Sequence, residues 1–80
     1  MKKRINLTTV WNRYKKNEEN NDHSENVVLL AKTFGTDEDV IEAEDIQFKH
    51  DSIGYITTDL LRRRDILHNK LYPLLVRLVK

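Results

Sequence analysis

Carboxylates and histidines are the side chains of this sequence that could bind a metal ion or transfer protons. The carboxylates are densest in residues 37–45, but this run lacks the central glycine and the ligand alternation of a calcium loop. The histidines, His23, His50 and His68, lie far apart and fit none of the spacings of zinc sites. There is no cysteine, so thiolate sites and disulfides are excluded. We therefore expect no metal site and no cofactor.

Catalytic motifs are also missing from the sequence. There is no glycine-rich phosphate loop, and no serine lies in the pattern of a nucleophile elbow. A helical chain of 80 residues offers little depth for a cleft that shifts pKa values. We expect a protein that acts by binding and not by catalysis.

Arg62, Arg63 and Arg64 form the densest basic run. Consecutive side chains on a helix point about 100° apart, so the three arginines fan around the helix and do not form one patch. Nearby aspartates can pair with some of them, which favours a solvated, partly paired face. The alternative is a role in partner binding. Arg64 lies one turn from Leu60, where its guanidinium can reach a buried or interfacial carboxylate, for example one from the acidic middle of the chain.

Charge is strongly segregated, although the formal net charge is only +1. Residues 1–16 contain six basic and no acidic side chains, residues 17–51 eleven acidic and two basic ones, and residues 52–80 six basic and two acidic ones. Such a pattern can attract an oppositely charged partner. It is also consistent with an acidic middle that packs between the two basic ends of the same molecule.

The spacing of apolar residues predicts an all-α fold, a small bundle of about four helices forming one domain over residues 1–80. The first helix has its apolar face at Leu7, Val10, Trp11 and Tyr14, and Asn6 or Thr8 can cap it. Trp11 has two interpretations, a core residue or an exposed anchor for a partner.

Residues 17–26 (NEENNDHSEN) contain no apolar side chain and predict an exposed polar linker. At the end of this segment, Asp22 and Glu25 resemble a capping box and predict the start of the second helix.

The second and third helices are predicted to form a tight helix–glycine–helix corner. Gly35 ends the second helix in the left-handed conformation, and Thr36 caps the third. The third helix ends near Asp45 and has its apolar residues at Val40, Ile41 and Ala43. Residues 46–57 fit either a β-hairpin or a loop in which Asp51 or Ser52 caps the final helix.

The corner is similar in spacing to a helix-turn-helix unit, which makes a nucleic-acid-binding regulator an alternative function. The similarity rests on Ala31 and Gly35, which have the separation found in helix-turn-helix proteins. Residues 36–45, however, hold six carboxylates and no basic side chain. Phosphates repel such a surface, so we expect nucleic acid to be an unfavourable partner.

The final helix is predicted to be long, with either a kink near residues 69–72 or a break at which Pro73 opens a last short helix, because proline lacks the amide hydrogen. Its apolar residues recur every seven positions, with two more one turn on: Ile53, Leu60, Leu67, Leu74, Leu71 and Leu78. Leu75, Val76 and Val79 are then left partly outward, which predicts an interface, either for self-association or for another protein. We predict partner contacts at Trp11, Arg63, Arg64, Leu75 and Val79.

A membrane span is not expected. The longest apolar stretch, residues 71–79, is far shorter than the ~20 residues that a spanning helix needs. The basic start of the chain is not followed by the apolar run of a signal peptide. We expect a cytoplasmic protein.

Three stretches are similar to the cytoplasmic lysis-inhibition accessory proteins of T-even phages, the antiholins encoded by the third r locus. They are residues 7–16 (LTTVWNRYKK), residues 28–41 (VLLAKTFGTDEDVI), and residues 54–72, from GYI through RRR to HNKLY. The resemblance implies a cytoplasmic antiholin that binds the cytosolic part of the phage holin and delays lysis. It supplies no set of binding residues. A phage protein that inhibits a host protein fits the same residues.

Overall fold

Four α-helices make up the computed structural model, which describes residues 6–79. They are α1 (Leu7–Glu19), α2 (His23–Phe34), α3 (Asp37–Ile53) and α4 (Thr58–Val79). No strand occurs within residues 6–79. The fold is therefore a small all-α bundle, as the apolar spacing predicted. The basic residues at positions 2–4 and 80 lie outside the described residues.

The core lies at the centre of the bundle, and helix α2 packs against each of the other three helices. All four helices contribute buried side chains to the core. The largest fully buried side chains are Leu30, Ile46, Leu71, Leu75, Val27 and Asn26. Five of these six are aliphatic, so burial of hydrocarbon is the main source of stability.

The prediction of an exposed linker at residues 17–26 is wrong. Helix α1 extends to Glu19, and a tight turn, with Asn21 at a φ of 61°, leads into α2. Asn17 and Asn26 are both buried, and Nδ2 of Asn17 donates to Oδ1 of Asn26 at 3.0 Å. Asparagine is common in loops, but amides that satisfy one another can be buried at little cost.

The start of α2 differs from the predicted capping box. Asp22 is the N-cap residue, yet its side chain makes no capping hydrogen bond. The carboxylate of Glu25 accepts a hydrogen bond from Nε2 of Gln47 in α3. Glu25 therefore joins two helices and does not close the start of its own.

The tight corner between α2 and α3 is present, and Thr36 caps α3 as predicted. Its hydroxyl accepts from the Asp39 amide at 3.2 Å, and Oδ2 of Asp39 accepts from the Thr36 amide at 3.0 Å. Gly35 is not left-handed, since its φ is −88°. A Cβ there would lie 2.9 Å from both the Ala31 carbonyl oxygen and Cβ of Asp39, so close packing requires the glycine.

Helix α3 does not end near Asp45 but continues to Ile53. Both interpretations of residues 46–57, the hairpin and the loop, are therefore wrong for most of the segment. Ile46 is completely buried, and this burial holds the second half of the helix on the core.

The connection between α3 and α4 begins at Gly54, whose φ of 88° is the left-handed conformation that glycine adopts cheaply. The hydroxyl of Thr57 then caps α4 by accepting from the Leu60 amide at 3.2 Å. Asp51 and Ser52, the expected caps, lie inside α3.

Helix α4 is continuous through Pro73, so the predicted break does not occur. Its buried leucines follow the 3.6-residue period of a straight helix: Leu60, Leu67, Leu71 and Leu75. A strict seven-residue row drifts by about 20° per heptad on such a helix. This drift carries Leu74 away from the core, and Leu78 in the final turn is more than half exposed.

Candidate protein-binding surface on helices α3 and α4

Arg63 lies between α3 and α4, where its guanidinium is held by two carboxylates. It donates from Nε and Nη2 to the two oxygens of Glu42, at 2.8 and 2.6 Å, and from Nη2 to Asp45 at 2.9 Å. These bonds hold the pKa of Glu42 and the pKa of Asp45 below their usual values, and they raise the pKa of Arg63. The guanidinium thus joins two helices, and the partner contact predicted for Arg63 stays a prediction.

Arg64 does not reach a carboxylate of the acidic middle of its own chain. Its Nη1 donates to the hydroxyl of Ser24 at 3.3 Å, and the same hydroxyl lies 3.0 Å from Nδ1 of His50. The contact that we expected of Arg64 is made by Arg63, because the core-facing leucines turn Arg63 toward α3. Arg64 instead faces the start of α2.

A second ion pair joins the same two helices. Nζ of Lys70 lies 2.9 Å from both carboxylate oxygens of Asp39. The Lys70 ammonium, together with the Thr36 amide, keeps the pKa of Asp39 below its usual value. The acidic α3 therefore packs against the basic α4. The acidic middle of the chain therefore pairs with a basic segment of the same molecule, which is one of the two interpretations of the segregated charge. The structure shows this for the basic segment that contains α4.

Trp11 packs against the core and is only partly buried. Its ring is parallel to that of Tyr14, with centroids 6.0 Å apart, and Tyr14 in turn stacks on Tyr72 at 5.3 Å. These contacts favour the first interpretation of Trp11, a core residue.

The prediction that Leu75 faces outward is wrong, because its side chain is 0% exposed. Val79 is half-buried and packs against the core. The leucines that were expected to face inward, Leu74 and Leu78, are the more exposed ones. Of the three side chains predicted to face outward, Leu75 therefore lies in the core, and Leu74 and Leu78 contribute apolar surface at the end of α4.

The largest exposed apolar side chains lie on the outward face of α3. Ile41 is 67% exposed and Phe48 is 69% exposed. They are seven residues apart, so they lie in one row along the helix. Ile41 was expected in the core, but Val40 and Ala43 pack there without it. The spacing of Ile41 and Phe48 was the sequence signal for this row.

Exposed carboxylates frame that row. Asp37, Glu44 and Asp51 lie along the same side of α3 and are all exposed. Nζ of Lys32 is 3.7 Å from Glu44, and both of these side chains are more than half exposed. We call Ile41, Phe48 and these three carboxylates the α3 outward face.

Helix α4 has an outward groove of its own, about 320 Å³ in volume. Its walls are made by residues that recur along one side of the helix: Thr58, Leu61, Arg62, Asp65, Ile66 and Asn69. Ile66 is 64% exposed and Leu61 is 38% exposed. We call these six residues the α4 groove.

A cavity of about 260 Å³ lies among α1, α2 and α4 and is lined mainly by polar side chains. At its base, the Tyr14 hydroxyl lies 2.7 Å from Nε2 of His68. Burial raises the pKa of Tyr14 and lowers the pKa of His68, so the pair is neutral. Within residues 6–79, no group of three or more histidines and carboxylates is placed to hold a metal ion.

The comparisons with known proteins identify no relative. No protein-family model, no curated protein and no solved structure matches this chain significantly. In the part of the chain that the structure describes, no helix has both the length and the apolar character needed to cross a membrane.

Proposed function

We propose that this chain is a non-enzymatic regulatory protein that binds another protein through the α3 outward face. The partner that we propose is the cytosolic part of a phage holin, so that the chain acts as a cytoplasmic antiholin and delays host lysis. The observation that carries the proposal is the exposed row formed by Ile41 and Phe48. The choice of a holin as the partner rests on the resemblance to the lysis-inhibition proteins of T-even phages.

Exposed apolar side chains in a row favour a protein interface. A single exposed leucine is ordinary, but two large side chains on one helix face form a surface that water solvates poorly. Aromatic residues such as Phe48 often dominate binding energy when a partner covers them. An apolar surface of this kind suits a partner helix, whose side chains insert along the row.

The charges around the row indicate the chemistry of the partner. Asp37, Glu44 and Asp51 give this face a negative potential, which attracts a segment with lysines or arginines beside its apolar residues. The same potential repels phosphates, which counts against the helix-turn-helix alternative. An amphipathic, basic protein segment is therefore the partner that this surface favours.

A binding protein of this kind acts by occupancy. It needs no reaction centre, since covering the interaction surface of a holin is enough to delay the assembly of membrane holes. The effect then depends on the concentration of the antiholin relative to that of the holin and on their affinity. Inhibition of a host protein would use the same surface and would also act by occupancy. It is the alternative outcome of the test below.

The test is a calorimetric titration of the purified chain with a peptide that corresponds to the cytosolic segment of a T-even holin. We expect binding by the unaltered chain, and a loss of affinity of about tenfold or more for Phe48→Asp, because a charge replaces an aromatic anchor. The helical circular-dichroism signal should be unchanged, since the substituted side chain is exposed.

Leu78→Asp is the matched control, since Leu78 is also a large exposed side chain but lies in the last turn of α4. Its affinity should equal that of the unaltered chain. If Leu78→Asp loses binding and Phe48→Asp keeps it, the α3 outward face is the wrong surface. If the peptide does not bind, and Phe48-dependent capture from infected cells recovers a host protein, the holin is the wrong partner. Capture that requires intact nucleic acid would overturn the protein-binding function.

A further inference from the structure

The α4 groove follows one face of its helix. Its residues occupy positions 58, 61, 62, 65, 66 and 69, the spacing of a continuous stripe along one helix face. These positions are arranged symmetrically about the midpoint between Arg63 and Arg64. The stripe therefore has the same spacing when read from either end.

The chemistry of the stripe follows the same symmetry. When two identical helices pack antiparallel about a twofold axis, residues at equal distances from the axis lie opposite each other. With the axis at the midpoint of the stripe, Arg62 lies opposite Asp65 of the second copy, and the outermost positions, Thr58 and Asn69, place a hydroxyl opposite an amide. Leu61 and Ile66 lie on opposite edges of the stripe, so on each edge an aliphatic side chain of one copy lies beside the same side chain of the other.

Within residues 6–79, the two charged residues form no ion pair that would compete with this arrangement. Among the ion pairs formed by residues 6–79, none includes Arg62 or Asp65. The adjacent Arg63, by contrast, is held by two carboxylates. Arg62 and Asp65 are therefore available to a second molecule, on either side of two exposed aliphatic side chains.

We propose that the α4 groove is a self-association surface, at which a second copy of this chain packs its own α4 antiparallel to the first. The occupant is a second copy because the surface is complementary to itself: cation faces anion twice in each dimer, and an aliphatic side chain lies beside its own counterpart on each edge. The α3 outward face has negative charges along its row and lacks this self-complementarity. The dimer is independent of the antiholin function, since it uses another surface.

Charge reversal tests the proposed register directly. In sedimentation equilibrium of the full chain over a range of concentrations, Arg62→Asp and Asp65→Arg should each weaken self-association by about tenfold or more, because two attractive pairs become two repulsive ones. An equimolar mixture of the two variants should associate as well as the unaltered chain. In the mixed dimer, every acidic side chain again faces a basic one.

Two further variants separate this surface from a general effect of added charge. Ile66→Asp should abolish self-association, whereas Phe48→Asp places the same charge at an equally exposed site and should leave it unchanged. An unaltered chain that stays monomeric at about millimolar concentration contradicts the proposal. Single reversals that associate normally, or a mixture that does not recover, also contradict it, since the helices would then not meet in this register.

Discussion

Two polar seams join helices of the bundle, and they differ in chemistry. Between α1 and α2, two neutral amides bond inside the protein: Asn17 bonds to Asn26, and Asn26 donates to the carbonyl oxygen of Tyr14 and to the carboxylate of Glu18, both at 3.1 Å. Between α3 and α4, full charges meet at the edge of the protein, where Arg63 binds Glu42 beside water. The first seam is buried, and the second is partly exposed.

The difference follows from the cost of removing each group from water. A neutral amide that finds its partners can be buried with little loss, whereas a buried charge loses several kcal/mol of hydration even when it is paired. The ionic seam therefore lies at the surface, and it contributes less to stability for each contact. It also leaves the neighbouring surface of α3 acidic, which the proposed binding function uses.

The largest effect is expected in the neutral seam, for Asn26→Ala. This change removes the partner of a buried amide and leaves a small cavity, so we expect the free energy of unfolding to fall by about 2–3 kcal/mol. Urea denaturation followed by circular dichroism measures it. Asn12→Ala, at an exposed position of α1, is the control and should change stability by less than about 0.5 kcal/mol. Equal effects of the two changes would remove the contrast between the seams.

A smaller effect is expected in the ionic seam, for Arg63→Met. Loss of two partly exposed ion pairs should cost about 1 kcal/mol, and the loss should shrink as salt screens the charges. The adjacent Arg62→Met is the matched control and should leave the stability of the monomer unchanged. Denaturation at low and high salt measures both. A cost for Arg63→Met as large as that for Asn26→Ala would contradict the assigned order of the seams.

The smallest effect is expected on acidification of the His68 contact. Burial lowers the pKa of His68 in the folded protein from its ordinary 6.5, so the folded state favours the neutral ring. The contribution to stability is therefore complete above that ordinary value and is lost as the pH falls below it. Thermal unfolding from about pH 7.5 to about pH 5 should show a steeper loss for the unaltered chain than for His68→Gln. A shallower loss would mean that Glu18 and Asp65 stabilise the protonated ring.

Local signals in the sequence predicted some parts of the fold well. The cap at Thr36, the corner at Gly35 and the first apolar face from Leu7 to Tyr14 all depend on residues close together in the chain. In α4, the seven-residue period predicted some of the wrong leucines for the core, because a straight helix and a supercoiled helix differ by only 0.1 residue per turn. That small difference decided whether Leu74 or Leu75 entered the core.

The other errors came from contacts between distant residues. Asn17 and Asn26 are typical of loops, and the sequence does not show that they bond to each other in the interior. The second half of α3 is helical because Ile46 packs into the core. The α3 outward face was missed for the same reason. Ile41 looked like a core residue because the sequence does not show that Val40 and Ala43 already fill the space.

The central claim is that the α3 outward face binds a protein partner, and nuclear magnetic resonance tests it most directly. An isotope-labelled chain would be titrated with the cytosolic segment of a T-even holin while the backbone amide signals are followed. We predict that the largest shifts fall on the outward side of α3, at Ile41, Glu44, Phe48 and Asp51. Shifts concentrated in the last two turns of α4, or no shifts at saturating peptide, would contradict the claim.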